Sequence, residues 1–536
     1  MRNPGSATSS TVSTASINFW SVSRNGWNKH LPRRRYNMTN HVERLKHALN
    51  TLEGYTRDGS HKTHRGYTED GVISLLEGGA VRRPDVSVIT RLATSLYQPD
   101  VFPIESYTNY DVLPGLLESL QNRFNSWNVL PDLSANIALT NGSTQALNAF
   151  LNSICSARDT ILTVQGFYHP FAAITHRNNI NMACVPTHVG NNYKLTAQGL
   201  TSFLATQTGT KPKAILFTNP SPFGVCYTLP ELQALAAVIQ KHNLMVYEDA
   251  VFKDTEHNTP TTLLASVPGM ESHVVIASSL SKSLNCANIR LGWACGPQFV
   301  INRMVSYMRD ESITVSQFNQ IAAASALNMP AEFIQGNINE IKTRVALVAS
   351  LVQGINTRLA QTYPARGNTP FMAIEVTPES GHSILISFDG LVGCKLPNGT
   401  TIKDDLDITA YLLGFGVGVS PTYSCGFINR CCVRLALAEV DTTPVHAATR
   451  NHELHHGIQS LLQLAAPAQA QTIWNTLAPM LGTQVPAHTV DADVQHAFHT
   501  VQNVLKDIFE NRIFTALDQL LQANSPNLSR SAHEAA

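Results

Sequence analysis

The stretch Ser278-Ser279-Leu280-Ser281-Lys282 places one lysine among hydroxyl residues, and Arg290 follows eight positions later in Arg-Leu-Gly-Trp. Just ahead, Val274-Val275-Ile276-Ala277 reads as a buried strand. An amine at such a strand end is partly desolvated, which lowers its pKa, and a neutral amine can form a Schiff base with a carbonyl compound. Most strand-end lysines only carry their charge out to water, so chemistry requires partners. Asp249 closes a second apolar run, LMVYEDA. A carboxylate buried at a sheet edge is costly unless a cation meets it, and a protonated pyridine nitrogen would serve. In TNGSTQAL, a strand turns into a helix at Gly142, Ser143 and Thr144. Free backbone N–H groups and the positive helix end favour a phosphate there. Ser279, Ser281 and Arg290 can add phosphate contacts from the lysine loop. Tyr168, in QGFYHPF, can lie flat on an aromatic ring. Amine, carboxylate, phosphate cradle and aromatic lid together describe a site for pyridoxal 5′-phosphate (PLP).

These residues need a scaffold that brings strand ends together. The segments NIALTNGSTQALNAFLNSI, TILTVQG, KAILFTNPSPFG, LPELQALAAVIQKHN, LMVYEDA and HVVIASSLSK alternate strand and helix. That rhythm predicts a parallel α/β sheet, whose ligands sit beyond the carboxyl ends of the strands. Residues 1–40 read as a disordered leader, and 41–54 have helical spacing. The expected organisation is residues 41–105 as the N-terminal segment of a small domain and 106–330 as a large PLP-binding α/β domain. Residues 331–445 then form a C-terminal small α+β domain and 446–536 a helical extension. Within this frame 313–361 is mostly helical with a break near Pro330, and HSILISF and CCVRLALAE read as strands.

With these residues in place, the chain resembles the fold-type I PLP-dependent enzymes, most closely the class I/II aminotransferase family, over roughly residues 75–440. The resemblance implies a mainly parallel, seven-stranded-type sheet in a large domain, with a smaller α+β domain. It implies that Lys282 carries PLP as a Schiff base and shuttles protons, that Asp249 pairs with the pyridine nitrogen and that Tyr168 stacks on the ring. Ser279 and Arg290 would bind the phosphate, joined by Gly142, Ser143 and Thr144. Arg434, in VRLALAE, would clamp the substrate carboxylate. Tyr110, five residues before Gly115, would reach the phosphate of a neighbouring subunit, which implies a homodimer with shared sites. The implied reactants are an amino acid and a keto-acid co-substrate.

The chain also departs from the family. In TNPSPFGVCYTLPEL, alignment on Gly224 puts Ser221 where a ring-contacting asparagine belongs, and Asn219 stands two residues earlier. Either could reach the ring oxygen. Phe252 occupies the place of a tyrosine and cannot donate a hydrogen bond. Asn288 stands where a glycine is common. These changes leave PLP binding intact and open a second outcome, in which elimination, cyclisation or oxidation replaces transamination.

Composition narrows the rest. The 536 residues carry 38 basic and 38 acidic side chains, so bulk charge favours neither nucleic acid nor an acidic membrane. No apolar run reaches about 18 residues, so no membrane span is expected. Nine scattered cysteines without a Cys-x-x-Cys pair suit a reducing compartment. A cytoplasmic location is expected, or an organellar one if the leader, with no Asp or Glu in its first 41 residues, is a transit peptide. HELHH at 452–456 matches His-Glu-x-x-His, but no third ligand is evident, and it reads as a solvated helix or an adventitious metal binder; no metal site is expected. A non-catalytic regulator on this fold would carry a basic winged helix-turn-helix ahead of it, and residues 1–75 do not.

Overall fold

The computed structural model describes residues 72–76, 78–95, 112–207, 211–258, 260–364, 369–427, 430–440 and 490–525. Tyr110, the leader, the 41–54 segment and HELHH lie outside them. In chain order, β1 (Ile73–Ser74) precedes helix α1 (Pro114–Ser126), β2 (Ile137–Thr140), α2 (Ser143–Ile154), β3 (Thr160–Val164), α3 (Pro170–Arg177) and β4 (Asn181–Val185). Next come β5 (Ala214–Thr218), α4 (Leu229–His242), β6 (Met245–Asp249), β7 (Val274–Ser279), β8 (Gly292–Cys295), α5 (Gln298–Ser312) and α6 (Gln317–Leu327).

Strands β2 to β8 form one seven-stranded sheet in the order β2-β8-β7-β6-β5-β3-β4. Every pairing is parallel except those of β8, which runs antiparallel to β2 and β7. The mainly parallel seven-stranded sheet expected from the sequence is therefore present. Its central strands are continuously apolar because helices cover both faces. One face sets Leu216, Tyr247, Val275 and Ala277 against α2, α3 and α5. The other sets Ile215, Phe217, Val246 and Ile276 among residues of α1, α4 and α6. Local signals agree with this order. Helix α4 starts at a capping box, where Thr228 and Glu231 satisfy each other's backbone, and ends at Asn243 with φ +50°.

The remaining chain builds a second layer. Helix α7 (Ala331–Thr362) follows Pro330, whose ring ends any continuity with α6. Then come β9 (Ala373–Val376), β10 (Ser383–Ser387), α8 (Asp405–Leu413), β11 (Val417–Gly418), β12 (Ser420–Pro421) and β13 (Cys432–Ala436). Strands β12-β13-β10-β9 make a four-stranded antiparallel sheet, and β11 pairs in parallel with β1.

Helices α9 (Val490–Asp507) and α10 (Phe514–Ala523), joined by a π-turn at Ile508–Ile513, close this layer. Their apolar stripe, including Phe498, Leu505, Phe509 and Leu517, is buried in one core with Ile384, Ile386 and Tyr411. Polar contacts fix the docking: Tyr411 donates to the Ala516 carbonyl at 2.8 Å, Tyr363 to Asp518 at 2.6 Å, and Arg512 to the Gly416 carbonyl at 2.8 Å. Residues 490–525 of the C-terminal extension, whose role the sequence left open, thus complete the smaller core. Phe509 is fully buried, so Phe509→Ala is expected to cost about 3–5 kcal/mol, read as a lowered urea midpoint of unfolding.

Candidate active site

Because β2, β3, β5, β6 and β7 point the same way, their carboxyl ends share one edge. Asp249 ends β6 in register with Ala277 of β7, and Ser279 ends β7 in register with Gly292. Asp249 is only 3% exposed. Burial pushes its carboxyl up to about 7, while the Val251 N–H at 3.3 Å and the Lys282 charge act in the opposite direction. Lys282 emerges from the loop after β7, and its Nζ donates to the carbonyl of Gly78. The same Nζ lies 6.0 Å from the centre of the Phe252 ring.

The phosphate cradle lies at the start of α2. Gly142 precedes the helix with φ +81° and no side-chain cap, so the first N–H groups of α2 have no intrahelical acceptor. Arg290, itself at φ +55°, lies across this turn: its Nη2 is 2.5 Å from where a Gly142 Cβ would stand. It donates to the carbonyls of Ala287 at 2.8 Å and Asn141 at 3.4 Å. Gly292 explains the spacing seen in the sequence. A Cβ there would meet Gly142 C and Ser143 N at 2.7 Å and the Ser278 carbonyl at 2.8 Å. Only glycine lets β8 pass this close to the α2 terminus. Ser279 is buried, and its Oγ accepts from the Ser281 N–H at 3.3 Å.

Tyr168 joins these parts. Burial raises its hydroxyl pKa above the usual range, a hydrogen bond with Thr144 lowers it, and the charges of Asp249, Arg290 and Arg434 all act on it. Arg434, on β13, reaches in from the other layer. One Nη donates to the Leu76 carbonyl and to Ser420 Oγ at 3.3 Å, whereas its Nε is buried with no partner among the described residues. Burial lowers its pKa from the usual guanidinium value. Such a group calls for an anion.

The structure therefore brings Lys282, Asp249, Tyr168, Thr144, Ser143, Gly142, Ser279, Arg290 and Arg434 to one region. Asn219 is the exception and corrects the sequence reading. Its carboxamide donates to Glu248 at 3.1 Å and to the Thr262 carbonyl at 2.8 Å. Successive strand residues face opposite ways, so Glu248 lies on the far side of β6 from Asp249. Glu248 is fully buried, with its pKa raised to about 7 by that burial, and it takes further hydrogen bonds from the N–H groups of Leu264 and Ala265. Asn219 belongs to that structural cluster. Ser221 is engaged in its own turn, accepting from the N–H groups of Phe223 at 3.3 Å and Val225 at 3.1 Å.

Sequence reasoning missed several neighbours of the lysine. Gly78 accepts from Lys282, and the paired glycines at 78 and 79 were the available turn signal. Thr218 sits in register with Asp249, with a buried hydroxyl that has no partner among the described residues. His382, at the start of β10, carried no local signal. Elsewhere, Glu375, Asp389 and Cys432 place ligand atoms within 4.8 Å of one another, but Arg430 bonds both carboxylates, at 2.8 and 2.6 Å. Gly292→Ala is expected to cost about 1–3 kcal/mol through overpacking against backbone. The same variant should weaken phosphate-ester binding in equilibrium titration.

Comparison with known proteins agrees with this geometry. Residues 100–450 match the family model for aminotransferase class I and II. The chain is 24% identical over 317 residues to a probable aspartate/prephenate aminotransferase of Rickettsia conorii, covering 57% of this chain and 73% of that protein. It is 24% identical over 351 residues to the aspartate/prephenate aminotransferase of Cereibacter sphaeroides, covering 61% and 82%. The crystal structure of the aspartate aminotransferase from Rhizobium meliloti superposes with a TM-score of 0.62 at 19% identity, covering 78% of this chain and 94% of that one. An aromatic aminotransferase from Pyrococcus horikoshii gives 0.57 at 18% identity, covering 83% and 98%. The solved structures establish the fold. The family match, with the lysine, aspartate and arginines described above, leads to the conclusion that this chain belongs to the class I and II aminotransferase family and is a transferase.

Proposed function

We propose that the protein is a PLP-dependent aminotransferase that converts an amino acid to its keto acid, with Lys282 as the residue that holds the cofactor through a Schiff base. The observation that carries this is a buried Asp249 at the end of β6 with the Lys282 charge, from the loop after the neighbouring β7, acting on it, beside a helix terminus crowned by Arg290. The residues suit the cofactor's parts. Asp249 would hold a proton on a pyridine nitrogen. The α2 amides, Ser279 and Arg290 would take a phosphate. Tyr168 would cover the ring face. The orphaned Arg434 Nε would meet a substrate carboxylate.

When bound, PLP supplies an electron sink for the pair left on the substrate Cα and carries the amino group away. The chain's residues do the rest. Arg434 anchors the substrate carboxylate and so presents Cα to Lys282. The Lys282 amine would take the proton from that carbon and deliver it on the cofactor side of the C–N bond rather than back to Cα, which is what separates amino-group transfer from racemisation. Asp249, ionised by its pairing with the ring nitrogen, would keep that nitrogen protonated from its buried position. The relatives' names make aspartate and prephenate the first substrates to try. A homodimer with Tyr110 reaching the neighbouring subunit is part of this proposal, and sedimentation velocity tests it.

A second outcome has one specific observation in its favour. With Asn219 turned to Glu248 and Phe252 lacking a hydroxyl, the Ser221 hydroxyl, whose proton its two accepted bonds leave available, would be the remaining expected donor to the ring oxygen. Stoichiometric keto acid and pyridoxamine phosphate in a half-reaction would support transamination, and elimination or oxidation products would replace it. The wild type is expected to show a visible band that borohydride abolishes, and Lys282→Ala should lack it. Arg434→Lys, which loses the bidentate fork, should reduce kcat/KM about ten- to a hundredfold, chiefly through KM.

A further inference from the structure

Gln165 directly follows β3, three residues ahead of Tyr168. Its half-buried carboxamide ties three segments together. Oε1 accepts from the N–H of Thr187 at 3.2 Å and from its hydroxyl at 3.1 Å, just past β4. Nε2 donates to the Gly426 carbonyl at 3.3 Å, in the loop between β12 and β13. A backbone N–H can only donate and a carbonyl can only accept, so these partners fix the orientation of the amide. The next residue adds a main-chain bond to the same loop: the Gly166 N–H donates to the Cys425 carbonyl at 2.8 Å. Two left-handed glycines let the loops close on each other. At Gly426, φ +90°, a Cβ would stand 2.9 Å from the Phe167 ring, and at Gly166, φ +84°, one would stand 3.1 Å from the Phe223 ring.

The same loop is fixed to the strand that carries Arg434. Ser420 pairs with Arg434 and its Oγ accepts from the guanidinium at 3.3 Å. The Thr422 hydroxyl donates to the Cys432 carbonyl at 2.9 Å, and the Cys425 N–H returns to the Thr422 carbonyl at 2.9 Å. Hydrogen bonds therefore run from the strand of Arg434 to the residues that lead into Tyr168. On its other side the Tyr168 ring meets Phe171 edge-on, with centroids 5.9 Å apart at 88°. Phe171 is buried and packs edge-on against Tyr247. An edge contact of this kind is a weak constraint, and a glycine adds freedom just ahead of it. The setting of Tyr168 thus depends on how Gly166 is held.

We propose that Gln165 is a positioning residue for Tyr168: by pinning the Gly166 hinge between Thr187 and Gly426, it sets the aromatic lid in register with the Arg434 clamp. This deepens the aminotransferase reading and rests on it for the ring that Tyr168 covers, but its test does not require turnover. The probe is pyridoxamine 5′-phosphate, which needs no lysine bond, titrated calorimetrically into the full-length, cofactor-free chain. Tyr168→Ala is expected to weaken its binding about three- to tenfold. Gln165→Leu, which loses both sets of partners, is expected to weaken it about threefold. In the Tyr168→Ala background the same change should add less than about 1.5-fold, because the two residues act through one contact.

Unchanged affinity in a folded Gln165→Leu protein overturns the proposal, and so do losses that add in full in the double variant. If the leucine variant does not fold, Gln165→Glu takes its place in the same cycle. That residue keeps the shape and an oxygen for Thr187 but cannot donate to the Gly426 carbonyl. Hydrogen exchange gives an answer without any cofactor. The Gly166 amide should exchange about tenfold faster in either variant, while amides inside β3 keep their wild-type rates. Equal exchange at Gly166 overturns the proposal. If the wild type binds no pyridoxamine 5′-phosphate, the aminotransferase reading falls, and the exchange comparison still decides whether Gln165 holds the hinge.

Discussion

Asp249 sets the terms for the rest of the site. A carboxylate at 3% exposure is cut off from water, and burial, opposed by the Val251 N–H and the Lys282 charge, still leaves its pKa raised to about 7. The chain tolerates it because the carboxyl ends of five strands converge there and bring Lys282 and the Val251 N–H within reach. The same convergence gathers the positive groups. Arg290 and the α2 terminus lie on one side, and Arg434 enters from the smaller sheet on the other. A buried acid placed among these cations suits the proposed guest, which would carry both a phosphate and a basic nitrogen.

The close approach of β8 to α2 holds this arrangement in register. Gly292 leaves 2.7 Å between its missing Cβ and the Gly142–Ser143 backbone, so the antiparallel strand is pinned against the helix that cradles the phosphate. The interval from Lys282 to Arg290 follows from this. The chain must leave β7, form the lysine loop, cross the helix terminus with Arg290 in a left-handed turn, and re-enter the sheet at Gly292.

The second layer supplies what the sheet cannot. Arg434, Leu76, Gly78 and His382 reach the site from β13, from the segment after β1 and from the entry to β10. Helices α9 and α10 support them from behind: Arg512 bonds the Gly416 carbonyl just ahead of β11, the strand that pairs with β1. Helices α9 and α10, beyond the family match that ends at residue 450, therefore act as core of this layer.

Lys282, Asp249, Gly142 and Arg290 were legible in the sequence because each sits at a strand end, where an apolar run meets a polar or glycine break within a few residues. That pattern is local, and short-range sterics and solvation write it directly into the chain. Asn219 misled because its sequence neighbours say nothing of which side of the sheet it faces; the buried Glu248 on the opposite face claims it. Gly78 lies 204 residues from Lys282, and Leu76 lies 358 from Arg434. No periodicity links such positions, and His382 has no local mark at all. By itself the sequence determined the alternating α/β order, the lysine loop and the phosphate turn, since these follow from propensity and spacing. Only the tertiary structure decided which face Asn219 serves, that the C-terminal helices are core, and which backbone carbonyl meets the lysine. Those depend on packing between segments distant in the chain, where burial and hydrogen-bond satisfaction over the whole fold select the partners.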